Sequence, residues 1–373
     1  MNFSFLPSLQ RIAAVKVAVS LYNDDDIVYM VEEMEDRIAL DYASFNRIRS
    51  EGWEEIRKAT IEKIKGTVPT CLQNTVVVLL RPLHVEFHWW MEDHPFVNLY
   101  TTDNSYKNAI CWTSNGTINR IQTAKDFIRN KSLISYGRFL MACTYFLENE
   151  VLTLWNEMEE KTISLEDSSL AVRFWVKWLE EGATTPWTQM VEEHFKDADI
   201  RPMDTCIRLS SFFHVLSREN RLKYLKFFDC SISHNDDLRR CMYYFHKEER
   251  HELCTVDSEG VLRSFLKWPY YSEFLPTANI LWPYLTPDSF YSVLRTLLFD
   301  YIVKGFKYFD YFHLFKEFWQ ASPVPLRYNK QRRLCELAKK VLSYDTETSP
   351  LTLQEIASEY RSCFSVYQYD RYL

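Results

Sequence analysis

The sequence of 373 residues predicts an all-α fold, an irregular, α-solenoid-like array of helix pairs. Glycine occurs only seven times, which is too seldom for the many tight turns that a β-rich fold requires. Apolar residues recur instead at steps of three and four, and short polar corners separate these runs, as in paired amphipathic helices. The spacing of the pairs is irregular, which favours a degenerate helical array over a regular repeat.

The first part of the chain predicts two helices joined by a polar corner. Apolar residues at helical spacing come before the corner 23–26: Ile12, Val15, Val19 and Tyr22. After it, a second amphipathic run carries Ile27, Met30, Val31 and Met34. The same design recurs over 139–158 at a constant displacement, with a matching acidic tail. An internal duplication and the common pattern of helix pairs both explain this match, and both interpretations stay open.

Further helix pairs are predicted around three polar corners, each between runs of aromatic and aliphatic residues: 217–220, 247–249 and 286–288. At the last corner, Thr286 is followed by Pro287. This order is typical of a helix start, with a capping residue and then a proline at the first helical position.

Two longer helices are predicted from their end signals and composition. Ser164 with Asp167 has the spacing of a capping box before a helix over 165–181, and Gly182 is placed where a glycine ends a helix. The run 306–319 is aromatic almost all round, which predicts a helix buried between its neighbours.

Strands fit the sequence at one place, the segment near residues 75–90. The run 75–80 is rich in valine, and the run 83–89 alternates apolar residues with histidine and glutamate. Both patterns are typical of β-strands, and Arg81 with Pro82 separates them. The sequence therefore predicts a minor strand segment here.

Charge and cysteine usage indicate the compartment and the partners. The formal net charge of −7 offers no general attraction to polyanions, so we expect neither nucleic acid nor a membrane surface as partner. Nine cysteines are scattered without a Cys-x-x-Cys pair, which is typical of a reducing compartment. No apolar run is long enough to cross a membrane, and no signal-peptide pattern precedes residue 10. We therefore expect a cytoplasmic protein.

The sequence carries no motif of a common enzyme class. The scattered glycines form neither a dinucleotide fingerprint nor a Walker A loop. A nucleophile elbow is missing as well. The acidic run 24–26 lacks the alternating ligands of a calcium loop and fits the polar corner of the first helix pair. We therefore expect no enzymatic activity and no cofactor.

A histidine-rich segment supports one alternative, a metal-dependent enzyme of unfamiliar helical fold. His84, His88 and His94 lie close in sequence, among acidic residues at 86, 92 and 93. Histidines four residues apart share one face of a helix and are able to bind zinc together with a third ligand. The intervening residues do not follow the His-Glu-x-x-His order of a metalloprotease, so surface or interface histidines beside a tryptophan pair are the favoured interpretation.

A second group combines cysteine and histidine: Cys230, His234, Cys241, His246, His251 and Cys254. Its spacing matches no zinc-finger pattern. The sequence instead predicts a helix pair with buried cysteines and exposed histidines.

An aromatic cluster interleaved with prolines is the candidate binding surface of the helical body: Trp268, Tyr270, Tyr271, Phe274 and Trp282. Such side chains dominate interface hot spots, so Trp268, Tyr270 and Tyr271 are candidate partner-binding residues. The alternative is an irregular connection whose aromatic rings are packed inside the fold.

The last helix is predicted at residues 352–362, where Thr352 and Glu355 have capping-box spacing. A small polar residue and a leucine, Thr352 and Leu353, open it. Ala357 and Arg361 follow at steps of four, and the sequence closes on Tyr372 and Leu373.

These residues resemble the opening helix and the terminal Tyr-Leu of a suppressor-of-cytokine-signalling (SOCS) box. In that family a cysteine and an apolar residue stand where this chain has Ala357 and Arg361. A competing register uses Leu334, Ala338 and Leu342. The resemblance implies a substrate-recognition subunit of a cullin-RING ubiquitin ligase, in which Thr352, Leu353 and Ala357 contact elongin.

The sequence thus predicts a helical interaction domain over 1–342 and a C-terminal, SOCS-box-like helix over 343–373. The expected function is a non-enzymatic scaffold for protein–protein interaction, with elongin and a cullin as the partners that the resemblance implies.

Overall fold

The computed structural model describes residues 7–41, 44–97, 109–158, 163, 168–196, 208–221, 235–328, 332–345, 352, 355–356 and 359. Over these residues the all-α prediction is confirmed, because the chain is helical and its β-pairing is limited to two isolated bridges, Lys65 with Val68 and Trp112 with Ile118. The arrangement of the helices as a repeat or solenoid stays a prediction. None of the described helices combines the length and the apolar character needed to cross a membrane.

The helices are numbered α1 to α18 in chain order. Helices α1 to α5 are Leu9–Tyr22, Asp25–Leu40, Phe45–Ile64, Thr70–Val77 and Leu80–Asp93. Helices α6 to α11 are Arg120–Arg129, Ser135–Thr144, Glu148–Glu157, Leu170–Glu180, Trp187–Lys196 and Leu209–Phe212. Helices α12 to α18 are Asn235–Tyr243, Lys247–Val256, Ser258–Ser264, Phe274–Leu281, Pro287–Thr296, Tyr311–Ala321 and Arg332–Leu342. A π-helical segment, Leu297–Ile302, continues α16.

The chain forms two compact units that alternate along the sequence. The first unit combines three segments: Met1–Val85, Ser114–Gly116 and Asp257–Leu373. The second unit combines two segments: Glu86–Thr113 and Thr117–Val256. Each unit therefore depends on contacts between residues far apart in sequence.

The predicted strand segment near 75–90 is wrong, since these residues lie in α4 and α5 and in the turn between them. Pro82 is the third residue of α5, in the first turn, where no backbone donor is needed for the helix ladder. Buried residues are nearly consecutive from the end of α4 to the start of α5, among them Val76, Val77, Leu79, Leu80 and Leu83. Burial of this whole segment thus outweighs the β-propensity of its valines.

Several predicted helix starts and ends are confirmed. Thr286 caps α16 by accepting a hydrogen bond from the Ser289 amide, with Pro287 as the first helical residue. Asp24 caps α2 at the polar corner of the first helix pair. Gly182 has φ +84° and ends α9, with the Ala183 amide donating to the Trp178 carbonyl.

Other predicted boundaries are wrong. Helix α9 begins at Leu170 and is capped by Ser169, whereas Ser164 and Asp167 lie outside the described residues. The aromatic run 306–319 is helical only from Tyr311, because Asp310 caps α17 there.

In the first unit, one part of the core forms where α2 packs against α3. The buried cluster is wholly apolar: Ile27, Val31, Met34, Ile38, Ile48, Ile56 and Leu80. Gly52 lies so close to Met34 that a Cβ at position 52 would come within 2.6 Å of that side chain. A second, aromatic part joins α15, α16 and α17, where the Phe318 ring lies 5.0 Å from the rings of both Phe274 and Phe290.

The core of the second unit is built around α7. All residues of this helix from Gly137 to Thr144 are buried, as expected of a central helix. Phe146 follows it and packs among aromatic rings: the ring centroids lie 4.7 Å from Phe212 and 5.7 Å from Phe174.

Candidate partner-binding surfaces

The predicted aromatic cluster near 268–282 is mostly packed inside the first unit. Tyr270 and Tyr271 are each 4% exposed, and Phe274 is fully buried. Trp268 and Trp282 are half-buried. The prediction of an exposed binding surface at Tyr270 and Tyr271 is therefore wrong, because these two rings fill the core. The alternative, an irregular connection with its rings packed inside the fold, describes them correctly. Partner binding through Trp268 stays a prediction.

Trp268 and Tyr271 form the walls of an aromatic cage that holds the guanidinium of Arg11. The carbon at the centre of the guanidinium lies 4.6 Å from the Trp268 ring and 5.1 Å from the Tyr271 ring. Arg11 also donates a hydrogen bond from Nη1 to the Tyr271 hydroxyl. Two ring faces within about 6 Å of one cation are the geometry of a cation–π site.

Neighbouring rings fix the walls of this cage. Tyr308 meets Trp268 edge to face, with ring centroids 5.4 Å apart, and Phe309 lies 4.1 Å from Tyr271. Burial raises the pKa of Tyr271, so its phenol stays protonated and accepts from Arg11 at neutral pH. The cage is therefore a rigid, uncharged surround for a single cation.

Sequence reasoning missed a second surface, an exposed aromatic patch on the second unit. Tyr243 is 77% exposed and Tyr244 is 43% exposed. Their rings lie 6.3 Å apart, and the exposed ring of His214 lies 5.7 Å from Tyr244. Tyr243, Tyr244 and His214 together form the tyrosine patch.

The position of Tyr243 and Tyr244 around the helix axis explains why their side chains are exposed to solvent. Three residues of α12 and the turn after it are buried: Cys241, Met242 and, three positions later, Phe245. The intervening tyrosines consequently face solvent. The helical spacing of these apolar residues was visible in the sequence, but an aromatic-rich run is usually assigned to the core.

Hydrogen bonds hold the backbone beneath the tyrosine patch. Arg221 donates from Nη1 to the Tyr244 carbonyl at 3.3 Å, and its Nη2 lies 3.5 Å from Oε1 of Glu249. Glu249 is 1% exposed and accepts from the His246 amide at 2.8 Å, which is half of a capping box for α13. The corner between α12 and α13 is therefore fixed on both sides.

The predicted capping box at the C-terminal helix is confirmed. The Thr352 amide donates to Oε2 of Glu355 at 2.7 Å, and the Glu355 amide donates to the Thr352 hydroxyl at 3.2 Å. The hydrogen bond from the Thr352 amide lowers the pKa of Glu355. Ile356 is buried, and Glu359 forms an ion pair with Lys340 of α18 at 3.0 Å.

The other residues of the SOCS-box resemblance are not placed by the structure. Leu353, Ala357, Arg361 and the closing Tyr372 and Leu373 lie outside the described residues. The resemblance therefore stays a prediction.

The three histidines of the metal-dependent alternative each have separate partners. His84 belongs to the first unit, where its Nδ1 lies 3.3 Å from the Tyr22 hydroxyl and its Nε2 lies 3.3 Å from Oε1 of Glu35. In the second unit, Nε2 of His88 lies 3.8 Å from Oε1 of Glu92. His94 is buried with its Nδ1 2.6 Å from the Trp90 carbonyl oxygen.

Glu86, the acidic neighbour of these histidines, is buried and accepts a hydrogen bond from the Ile118 amide at 2.9 Å. Within the part of the chain that the structure describes, no three His, Cys, Asp or Glu side chains are placed to hold a metal ion together.

The cysteine–histidine group forms the helix pair that was predicted, as far as it is described. Cys241 and Cys254 are buried in α12 and α13, whereas His246 and His251 are exposed. Cys230 and His234 lie outside the described residues.

No protein-family model, no curated protein and no solved structure matches this chain.

Proposed function

We propose that this chain is a non-enzymatic helical scaffold that binds a protein partner through the tyrosine patch. The observation that carries the proposal is the exposure of Tyr243 and Tyr244 side by side on a fixed corner. Tyrosine supplies a large contact area together with a hydroxyl that finds a partner at an interface, and it is enriched in interface hot spots.

The rigidity of the corner supports the same proposal. Binding costs less free energy when the contacting side chains and their backbone are already ordered in the free protein. Arg221 and Glu249 provide that order beneath Tyr244. A preformed pair of aromatic rings is thus suited to fill complementary pockets on a partner.

A finer proposal concerns the C-terminal helix, which we propose docks elongin so that the chain acts as a substrate-recognition subunit of a cullin-RING ligase. It is supported by the resemblance and by the capping box that starts this helix at Thr352. In this proposal the tyrosine patch holds the substrate and Leu353 contacts the adaptor.

The test of the tyrosine patch is an affinity capture from cell lysate followed by a direct binding measurement. We expect Tyr243→Ala with Tyr244→Ala to lose the captured protein and to weaken its measured affinity at least tenfold. The matched control is Tyr29→Ala, since Tyr29 is 67% exposed on α2 of the first unit. Equal affinity of the double variant and the control, with unchanged melting temperatures, would contradict the proposal.

The test of the C-terminal helix compares the intact chain, a chain ending at Ser349, and Leu353→Asp. Elongin and a cullin should be recovered with the intact chain only. Leu353→Asp should lose both with little change in melting temperature, because an interface leucine contributes to binding rather than to the core. Recovery of neither protein with any chain refutes the ligase proposal and leaves the tyrosine-patch proposal standing.

A further inference from the structure

We propose that the tyrosine patch binds a proline-rich segment of the partner in its extended, polyproline II conformation. This inference rests on the proposed function, because it names the kind of segment that a protein partner brings to the same surface. Three features of the patch lead to it: two notches between exposed rings, hydroxyl donors without an acceptor, and a polar border.

The rings of the patch are open to solvent in the folded chain. Tyr243 is 77% exposed, Tyr244 is 43% exposed, and His214 is exposed as well. The backbone beneath them is fixed, since Arg221 donates to the Tyr244 carbonyl. A ligand therefore reaches these rings without any opening of the fold.

The three rings form two adjoining notches, with Tyr244 as the shared wall. The rings of Tyr243 and Tyr244 stand at 86° to each other with centroids 6.3 Å apart. The His214 ring lies 5.7 Å from Tyr244 at an angle of 35°. A polyproline II segment rises about 3.1 Å per residue and thus advances about 6.2 Å over two residues. Side chains two residues apart on such a segment are therefore spaced to enter the two notches.

The tyrosine hydroxyls supply the hydrogen bonds that such a segment needs. Among the residues that the structure describes, neither the Tyr243 nor the Tyr244 hydroxyl has a hydrogen-bond partner, and each is able to donate. A polyproline II segment has no internal hydrogen bonds, so its carbonyl oxygens are free to accept, and its prolines have no N–H to donate. The donors of the patch therefore match the acceptors of the segment.

The border of the patch disfavours the other common modes of peptide recognition. Exposed polar and charged residues follow His214 and Tyr244 along the chain: Ser217, Arg218, His246, Lys247 and Glu248. A bound amphipathic helix needs a long apolar groove, which these residues interrupt. A bound strand needs a sheet edge, and the described residues pair only in two isolated bridges. The border carries charges of both signs, so the bound segment needs no net charge.

The experiment measures the binding of fluorescein-labelled decaproline to the intact chain by fluorescence anisotropy. We expect saturable binding by the unaltered chain and at least about tenfold weaker binding by Tyr243→Ala with Tyr244→Ala, because the variant removes two walls of the notches. The control variant is Tyr29→Ala, which removes an exposed tyrosine of the first unit and should bind as the unaltered chain does.

The ligand control is a labelled Gly-Ser repeat peptide of the same length. It is uncharged like decaproline, but it is a flexible coil and loses more conformational entropy on binding. The unaltered chain should bind it at least about tenfold more weakly than decaproline.

A second variant, Tyr243→Phe with Tyr244→Phe, separates ring packing from hydrogen bonding. It keeps both rings and removes both hydroxyls, so it should weaken decaproline binding at least about threefold. Circular dichroism checks the fold of both double variants. If the alanine pair does not fold, the phenylalanine pair takes its place in the comparison with the unaltered chain.

The proposal is overturned if decaproline shows no saturable binding, if the two peptides bind equally, or if the folded double variant binds as the unaltered chain does. The proposed function is tested separately, by the capture of a protein from lysate through the same tyrosines. Loss of the captured protein in the alanine pair, together with no binding of decaproline, would keep the proposed function and overturn this inference alone.

Discussion

Gly116 lies beneath the indole of Trp268 in a backbone conformation, φ +87°, that residues with a Cβ rarely adopt. A Cβ at this position would come within 2.9 Å of the indole carbon Cζ2 and 3.4 Å of the Leu83 side chain. The glycine thus serves two purposes, since it allows the turn and leaves room for the largest side chain of the cage.

Gly116→Ala should lower the free energy of unfolding by about 2–4 kcal/mol, because it combines left-handed backbone strain with a steric overlap. The control is Gly66→Ala, which shares the strained backbone, φ +88°, but has no atom within 4 Å of the added Cβ. It should cost only about 1–2 kcal/mol. Urea denaturation followed by circular dichroism measures both. Equal losses would show that the indole shifts freely and that the cage wall is not fixed by Gly116.

One carboxylate, that of Asp93, joins three segments of the second unit. Asp93 ends α5, and Arg208 immediately before α11 donates from Nη2 to its carboxylate at 2.9 Å. Arg120, the first residue of α6, donates to the same oxygen. The side chains of Arg120 and Arg208 are 3% and 7% exposed, so two buried guanidinium groups share one carboxylate.

Asp93→Asn should destabilise the chain by about 3 kcal/mol, because it leaves the charge of two buried arginines facing a neutral amide. The matched control is Glu252→Gln, whose ion pair with Arg218 spans 3.9 Å at side chains that are 42% and 60% exposed. That variant should change stability by less than about 1 kcal/mol. Both are measured by thermal and urea unfolding. A loss as small as that of the control would mean that water or movement of the helices compensates the arginines.

Helix features that depend on neighbouring residues were predicted from the sequence, whereas those that depend on distant contacts were not. Short-range features were predictable, such as the caps at Thr286 and Thr352 and the glycine end at Gly182, because each involves residues within five positions. The helical state of α4 and α5 was not, because it is decided by burial against residues distant in sequence. The exposure of Tyr243 and Tyr244 depends on the phase of a helix whose inner face is set by its neighbours.

The division of the chain into two units was not predictable from local sequence features. The first unit takes up three residues, Ser114–Gly116, from within the sequence of the second and resumes at Asp257. No composition change marks these points. The aromatic cage shows the same limit, because Arg11 meets Trp268 across more than half of the chain. Such a site becomes visible only when distant segments are brought together.

The cysteine thiols of the folded chain differ in their exposure to solvent. Among the described residues Cys71 is exposed, whereas Cys143 and Cys241 are buried. Burial raises the pKa of Cys143 and Cys241 well above the ordinary value. Since the thiolate is the reactive form, both burial and the raised pKa protect these two thiols.

Iodoacetamide at pH 8 should therefore modify Cys71 in the folded chain while Cys143 and Cys241 stay unmodified, as measured by peptide mapping with mass spectrometry. In urea all three should react at similar rates, because the burial that protects two of them is lost on unfolding. Cys71→Ser serves as the control that assigns the fast signal. Modification of Cys143 as fast as Cys71 without urea would mean that α7 is accessible to solvent in the folded protein, and the core of the second unit would need a different description.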